Sequence, residues 1–358
     1  MRGRFGFRRG VAFGVAAFGT VIFKTGVLPS VIIITALTLF YTYRGGLTAV
    51  IWTDVIQLLI YLSGTALAVL LALHAIPGGW SAVSQLAAVN GNKLAVFNFG
   101  FNWQQPYLFW KGLIGGTFLS SASHGTDQLI VQRLLAAKSM RQSQAAVMAS
   151  GVVVFLQFSL FLLAGVVLFG FYHHFPPAAP FSRPDEVFPS FVVKHLPMGV
   201  AGLVVAAILG AAMANLSAAF NSLASSSVVD FYKPFLRPVA DEKHYLRVAR
   251  ALTLVWGVIL ILIALLAQQV HRSVLELALT IASVPYGSML GIFLLGVLTK
   301  RATGPATALG AFAGLATLGA VMAFTSIAWT WYVAIGTLVT FAVGWAASSP
   351  KRSVKDEG

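Results

Sequence analysis

A chain of 358 residues that is 58% hydrophobic and only 9% charged cannot cover a water-exposed surface, for which a soluble domain uses roughly 25% charged residues. Its net charge of +14 comes from short basic clusters between long apolar blocks, a membrane-topology pattern that argues against nucleic acid as a partner. Without cysteine it forms neither disulfides nor thiolate-bound metal sites.

Ten hydrophobic segments follow in chain order: 11–26, 29–43, 47–75, 107–133, 143–172, 197–229, 247–269, 273–298, 303–325 and 328–347. They lack a period of two and exceed the length of barrel strands, and a hydrocarbon core of about 30 Å admits only helices or closed barrels. The expected fold class is therefore an all-α polytopic membrane protein, with the lipid bilayer as its main partner. The opening MRGRFGFRRG and the apolar VAFGVAAFGTVIF mimic a signal peptide, but no small-x-small cleavage site follows and another apolar block begins at once. It reads as an uncleaved membrane segment.

Lysine and arginine set the orientation. With the N-terminus cytoplasmic, eighteen basic residues fall on the inside and six on the outside, so both termini are predicted cytoplasmic. Two outer loops are long, 76–106 and 173–196. The first region carries Trp80, Trp103, Tyr107 and Trp110, as an interfacial aromatic belt would. The second is Pro-rich, with room for a short surface helix. His173 and His174 there lack acidic neighbours close in sequence and read as solvated loop residues.

Ionisable and polar groups inside apolar segments are costly, which makes each a candidate for function. Asp54, in RGGLTAVIWTDVIQ, either attracts a cation at the cytoplasmic face or accepts hydrogen bonds from a neighbouring helix. Segment 107–133 gathers Gly112, Gly115, Gly116, Ser120, Ser121, Ser123 and Gly125 ahead of His124, Asp127 and Gln128. Such a run marks either a discontinuous helix at a midplane site or close helix packing. In segment 197–229, AAMANLSAAFNSLASSS offers small residues with the hard oxygens of Asn215, Ser217, Asn221 and Ser222. It is a cation site or a packing seam, and periodicity does not separate the two. Val284-Pro285-Tyr286-Gly287 is expected to interrupt segment 273–298. No HExxH, GxSxG, Walker or paired-carboxylate motif points to an enzyme or an organic cofactor.

Three stretches, YTYRGGLTAVIWTDVIQ (41–57), GTDQLIVQRLLAAKS (125–139) and AAMANLSAAFNSLASSSVVDFYKP (211–234), resemble the sodium:solute symporters in content, order and spacing. So does GSMLGIFLLGVLTKRATGPATALGAFAG, and the likeness runs from about residue 10 onward. The resemblance implies a secondary active transporter: cation-coupled, with sodium as the expected ion, working by alternating access in the plasma or bacterial inner membrane. It implies the leucine-transporter fold of two inverted five-helix repeats, truncated at its N-terminus. Residues 1–75 would end the first repeat, 107–298 form the second, and 299–347 add C-terminal helices, all in one transmembrane domain. The family's first core helices would precede residue 10, so an inactive remnant or a non-transporting sensor is the alternative.

On the same resemblance the cation path comprises Asp54, Ala211, Ala214, Asn215 and Ser217, and the substrate site Ser120, Ser123, His124, Asp127 and Tyr286. The family's hydroxyl pair that binds sodium reads Ala214 and Asn215 here. Sugar-carrying relatives place an Asn and a Trp where this chain has Ser120 and His124. A small polar solute, an organic anion or amino acid rather than a sugar, is expected. Because the chain has no native cysteine, single cysteines can report topology. Cysteines placed in 134–142 and 234–246 are expected to label only from the cytoplasmic side; labelling of either from outside would reverse the orientation.

Overall fold

The computed structural model describes residues 47–348 except 128–129, 132–133, 135–136, 182–183, 268–273 and 301, together with residues 29, 32, 33 and 35–38. The expected segment 11–26, most of 29–43, and the positions of Gln128 and Arg133 lie outside the described residues.

Among the described residues all regular structure is helical. The helices are α1 (Leu47–Ala75), α2 (Gly79–Val89), α3 (Phe109–Thr126), α4 (Met140–His174), α5 (Val187–His195), α6 (Met198–Ser227), α7 (Glu242–Ala267), α8 (Val274–Leu298), α9 (Gly304–Phe324) and α10 (Tyr332–Ala347). A π-helical stretch, Val228–Leu236, continues α6, and 3₁₀ turns at Pro184–Glu186 and Trp329–Trp331 precede α5 and α10. Seven of these helical stretches, all but α2, α3 and α5, are long and apolar enough to cross a membrane. The chain is a multi-pass integral membrane protein.

The loop expected at 76–106 contains α2, and the Pro-rich loop holds α5, whose Phe191 and Val192 are buried. Of the two readings of segment 107–133, the discontinuous one matches its backbone: α3 ends at Thr126, and Asp127 is extended (φ −76°, ψ 113°). The chain turns again at once, with the Ile130 and Val131 amides donating to the Asp127 carbonyl. Pro285, expected to interrupt its segment, lies inside a continuous α8. A proline removes only one amide donor, and surrounding protein can satisfy the carbonyl it frees.

The helices form two compact units. Among the described residues, one combines Ala95–Val154 with residues 277–348, and the other residues 29–94 with Phe155–Glu276. In the first, α9 and α10 pack through glycines. A Cβ on Gly310 would come within 2.5 Å of the Thr340 carbonyl oxygen and 2.9 Å of the Gly344 Cα, so only a hydrogen fits there. Hydrogen bonds tie both helices to α8: Thr337 of α10 donates to the Gly287 carbonyl at 3.1 Å, and Ser288 of α8 to that of Ala311 of α9 at 3.4 Å. Ala122 of α3, Ala282, Tyr286 and Leu290 of α8 and Val333 of α10 close a small core.

In the second unit α1 runs antiparallel to α6, with Gly64 against Val204 and the Gln57 amide against Gly210. Ala68, Val69, Ala72, Val167, Phe171, Phe191, Val192 and Val204 form the core shared by α1, α4, α5 and α6. Backbone contact at Gly310 gives a direct test of the packing. Gly310→Ala is expected to destabilise the protein by about 1–3 kcal/mol, read as a lower thermal midpoint in detergent. Gly319→Ala, whose Cβ meets nothing within 4 Å, is expected to stay within about 0.5 kcal/mol of wild type.

Candidate functional site

The second unit holds an open cavity of about 550 Å³ lined by α1, α4, α5 and α6. Most of its wall is apolar, including Phe161, Leu168, Phe188 and Ile208; Tyr61, Thr65, Gln157 and Asn215 supply polar groups. The α6 contribution follows from helical spacing. Ala211 and Asn215, one turn apart, share the face that lines the cavity, and the Asn215 amide nitrogen donates to the Ala211 carbonyl at 2.9 Å. That bond uses the amide's donor and fixes its orientation. Ala214 and Ser217, three apart, occupy a different and buried face, each 9% exposed. The four α6 candidates therefore divide between two faces.

Asp54 is half-buried on α1 and interacts electrostatically with Tyr61, whose side chain hydrogen-bonds Gln157 of α4. Asp54, Gln57, Tyr61 and Thr65 recur at steps of three and four, a polar stripe along one face of α1. Tyr61 and Thr65 bring that stripe to the cavity wall, while the Gln57 Oε1 is buried without a hydrogen bond among the described residues. The sequence reading named Asp54 alone. The stride from Asp54 to Gln57 and Tyr61 was available to find the others; Gln157 gave only the weaker signal of one amide in an apolar helix.

In the first unit, α3 carries Ser120, Ser123 and His124, and the Ser123 hydroxyl and His124 ring find their partners within the helix. The Ser123 hydroxyl donates to the Ser120 carbonyl at 3.1 Å. The His124 Nδ1 lies 2.9 Å from the Ser123 Oγ and 3.2 Å from the Ser120 carbonyl oxygen. Asp127, in the break just beyond α3, accepts a hydrogen bond of 3.0 Å from the Tyr286 hydroxyl of α8. Tyr286 is held by the Ala122–Leu290 core and is 6% exposed. The structure thus joins two candidates 159 positions apart, a pairing that no local pattern announces. Among the described residues no group of three or more His, Asp or Glu side chains is arranged to hold a metal ion.

The family model of the sodium:solute symporters matches residues 12–319, and the chain belongs to that family. It is 32% identical to the human sodium/iodide cotransporter over 282 residues, 77% of this chain and 43% of that protein. It is 32% identical to human sodium-coupled monocarboxylate transporter 1 over 281 residues, 77% of this chain and 45% of the relative. The chain thus spans about half the length of these curated relatives. Its fold is that of a substrate-bound, outward-open Na⁺-coupled sialic acid symporter, with a TM-score of 0.78, 23% identity, and coverage of 98% of this chain and 75% of the other. This is the leucine-transporter-type architecture.

The Asp127–Tyr286 bond connects a helix break to a neighbouring helix, and a hydrogen bond to a charged group contributes about 1.5–3 kcal/mol. In a double-mutant cycle of Asp127→Asn and Tyr286→Phe, thermal unfolding is expected to give a coupling of about 1–2 kcal/mol. Strict additivity would mean that the two side chains act independently.

Proposed function

We propose that the protein carrying this chain is a secondary active transporter, a sodium-coupled solute symporter working by alternating access. Its solute is a small organic anion or amino acid rather than a sugar. The observation that carries the reading is the cavity of about 550 Å³, in which the Asn215 face of α6 meets the polar stripe of α1. A space of this size, largely apolar with a few converging polar groups, suits a small solute, and the carboxylate of Asp54 on the same stripe suits a cation. The solutes that the relatives are named for, iodide, monocarboxylate and sialic acid, favour an anion.

Sodium here is a transported ion, and the donor set fits it in part. The Asn215 Oδ1, the Ser217 hydroxyl and Asp54 are hard oxygens of the kind sodium takes in exchange for its hydration shell. Ala214 contributes no side-chain oxygen, and Ala211 could offer only a backbone carbonyl that already accepts from Asn215. Coupling in this reading is weak in sodium affinity and rests on the charge of Asp54. Ser120, Ser123, His124, Asp127 and Tyr286 are the solute-contact candidates of the second repeat (107–298), none of them on the wall of this cavity, with residues 1–75 closing the first and 299–347 peripheral. The membrane is the plasma or bacterial inner membrane, with both termini cytoplasmic.

Sodium titrations of solute uptake in proteoliposomes, and of thermal stability with potassium and choline as controls, test the proposal. Asp54→Asn is expected to raise the sodium concentration for half-maximal effect by roughly tenfold, the loss of one charge interaction of about 1.4 kcal/mol. Ala214→Ser is expected to lower it. A wild-type protein whose uptake and stability ignore sodium, potassium and choline alike would favour a non-transporting member of the fold.

A further inference from the structure

The first unit holds a second cavity, of about 580 Å³, bounded by the chain leading into α3, the first half of α3, and the turn before α10. Lys111 lines it and is 1% exposed, the largest fully buried side chain among the described residues. Its ammonium donates to the Gln105 carbonyl at 2.5 Å. That bond uses one of three N–H groups, and no carboxylate among the described residues pairs with it. A buried ammonium with a single neutral acceptor is an expensive arrangement, because desolvation is not repaid by an opposite charge.

Its surroundings are rich in donors. The side chains of Trp329, Thr330 and Trp331 have a buried indole N–H, a hydroxyl and a second indole N–H, none of which has a hydrogen-bond partner among the described residues. Trp329 and Thr330 line the same cavity as Lys111. The turn is pinned by the Ala328 amide donating to the Trp103 carbonyl at 2.9 Å and by the Trp103–Trp331 ring contact at 5.1 Å. Phe97 and Phe109 line the same cavity and meet edge to face at 5.9 Å, with Phe97 63% exposed at its rim. One buried positive charge, neighbouring N–H and O–H groups without acceptors, and aromatic lining residues complement an anion with an apolar body.

We propose that this cavity binds a small organic carboxylate, its charge on Lys111 and its apolar part against Phe97 and Phe109. The site lies within the first unit, shares no lining residue with the α1–α6 cavity, and does not depend on the transport reading. The carboxylate supplies the counter-charge that the fold leaves out. A halide offers the same charge without the apolar body, so comparing the two distinguishes them.

The test is the thermal midpoint of the purified full chain in nanodiscs, titrated with the choline salts of benzoate, acetate and chloride. Choline removes any contribution from sodium. Running wild type and variants in the same series cancels general ionic-strength effects. Wild type is expected to show a saturable rise, at the lowest concentration for benzoate, then acetate, then chloride. Lys111→Met is expected to weaken the benzoate response by roughly tenfold or more, as loss of a charge-assisted bond requires, and Lys111→Arg to retain it. Phe97→Ala is expected to weaken benzoate severalfold while leaving acetate unchanged, and serves if Lys111→Met does not fold. A wild-type midpoint indifferent to all three anions overturns the proposal. So does a Lys111→Met protein that keeps the full benzoate response at a uniformly lower midpoint, which would make Lys111 a structural anchor. Equal potency of chloride and benzoate overturns the assignment to an organic carboxylate.

Discussion

Hydrocarbon offers no hydrogen-bond partner to a peptide group, and every other feature of this protein is arranged around that fact. Helices meet the demand by bonding each amide within its own segment. The polar side chains in those helices follow the same rule locally. Thr65 donates to the Tyr61 carbonyl at 2.7 Å, Thr126 to Ala122 at 2.6 Å and Ser283 to Leu279 at 2.6 Å. A hydroxyl turned back on its own helix presents little unsatisfied polarity to lipid, so these residues by themselves say little about function.

Small residues have different uses in the two units. Between α9 and α10 the absence of a side chain at Gly310 lets backbones touch. On α6 the small residues at 211 and 212 instead leave space that becomes cavity wall. The same composition thus produces a seam in one place and a void in the other, and the difference lies in what the neighbouring helix brings. Here α1 presents Gln57 to Gly210 and, one turn further along its stripe, Tyr61 to the cavity.

Where the chain departs from local satisfaction, the departures are informative. Asp127 stands in a break of extended backbone and takes its partner from α8. Lys111 is enclosed with one carbonyl. Asp54 lies at the head of a polar stripe. In a low-dielectric setting each arrangement raises the energetic stake of a charge. Charges retained under those conditions are the natural places to look for ions and anionic solutes.

Much of the architecture was legible in the chain alone. Apolar length, the absence of a two-residue period and the scarcity of charge determine membrane helices, because the bilayer is a uniform solvent that acts on composition. Asp54, Asp127 and the small-residue run of α6 were legible for the same reason, as exceptions in an apolar background. Three things came only with the tertiary structure. Asp127 and Tyr286 meet across 159 positions; Ala211 and Asn215 share a cavity wall that Ala214 and Ser217 do not; and Lys111, an unremarkable basic residue at the start of a segment, is buried against a donor-rich turn more than 200 positions away. Composition speaks for a residue's relation to solvent, which is local. Contacts between helices depend on rotation and register, which small apolar residues permit in many combinations and only the folded packing selects.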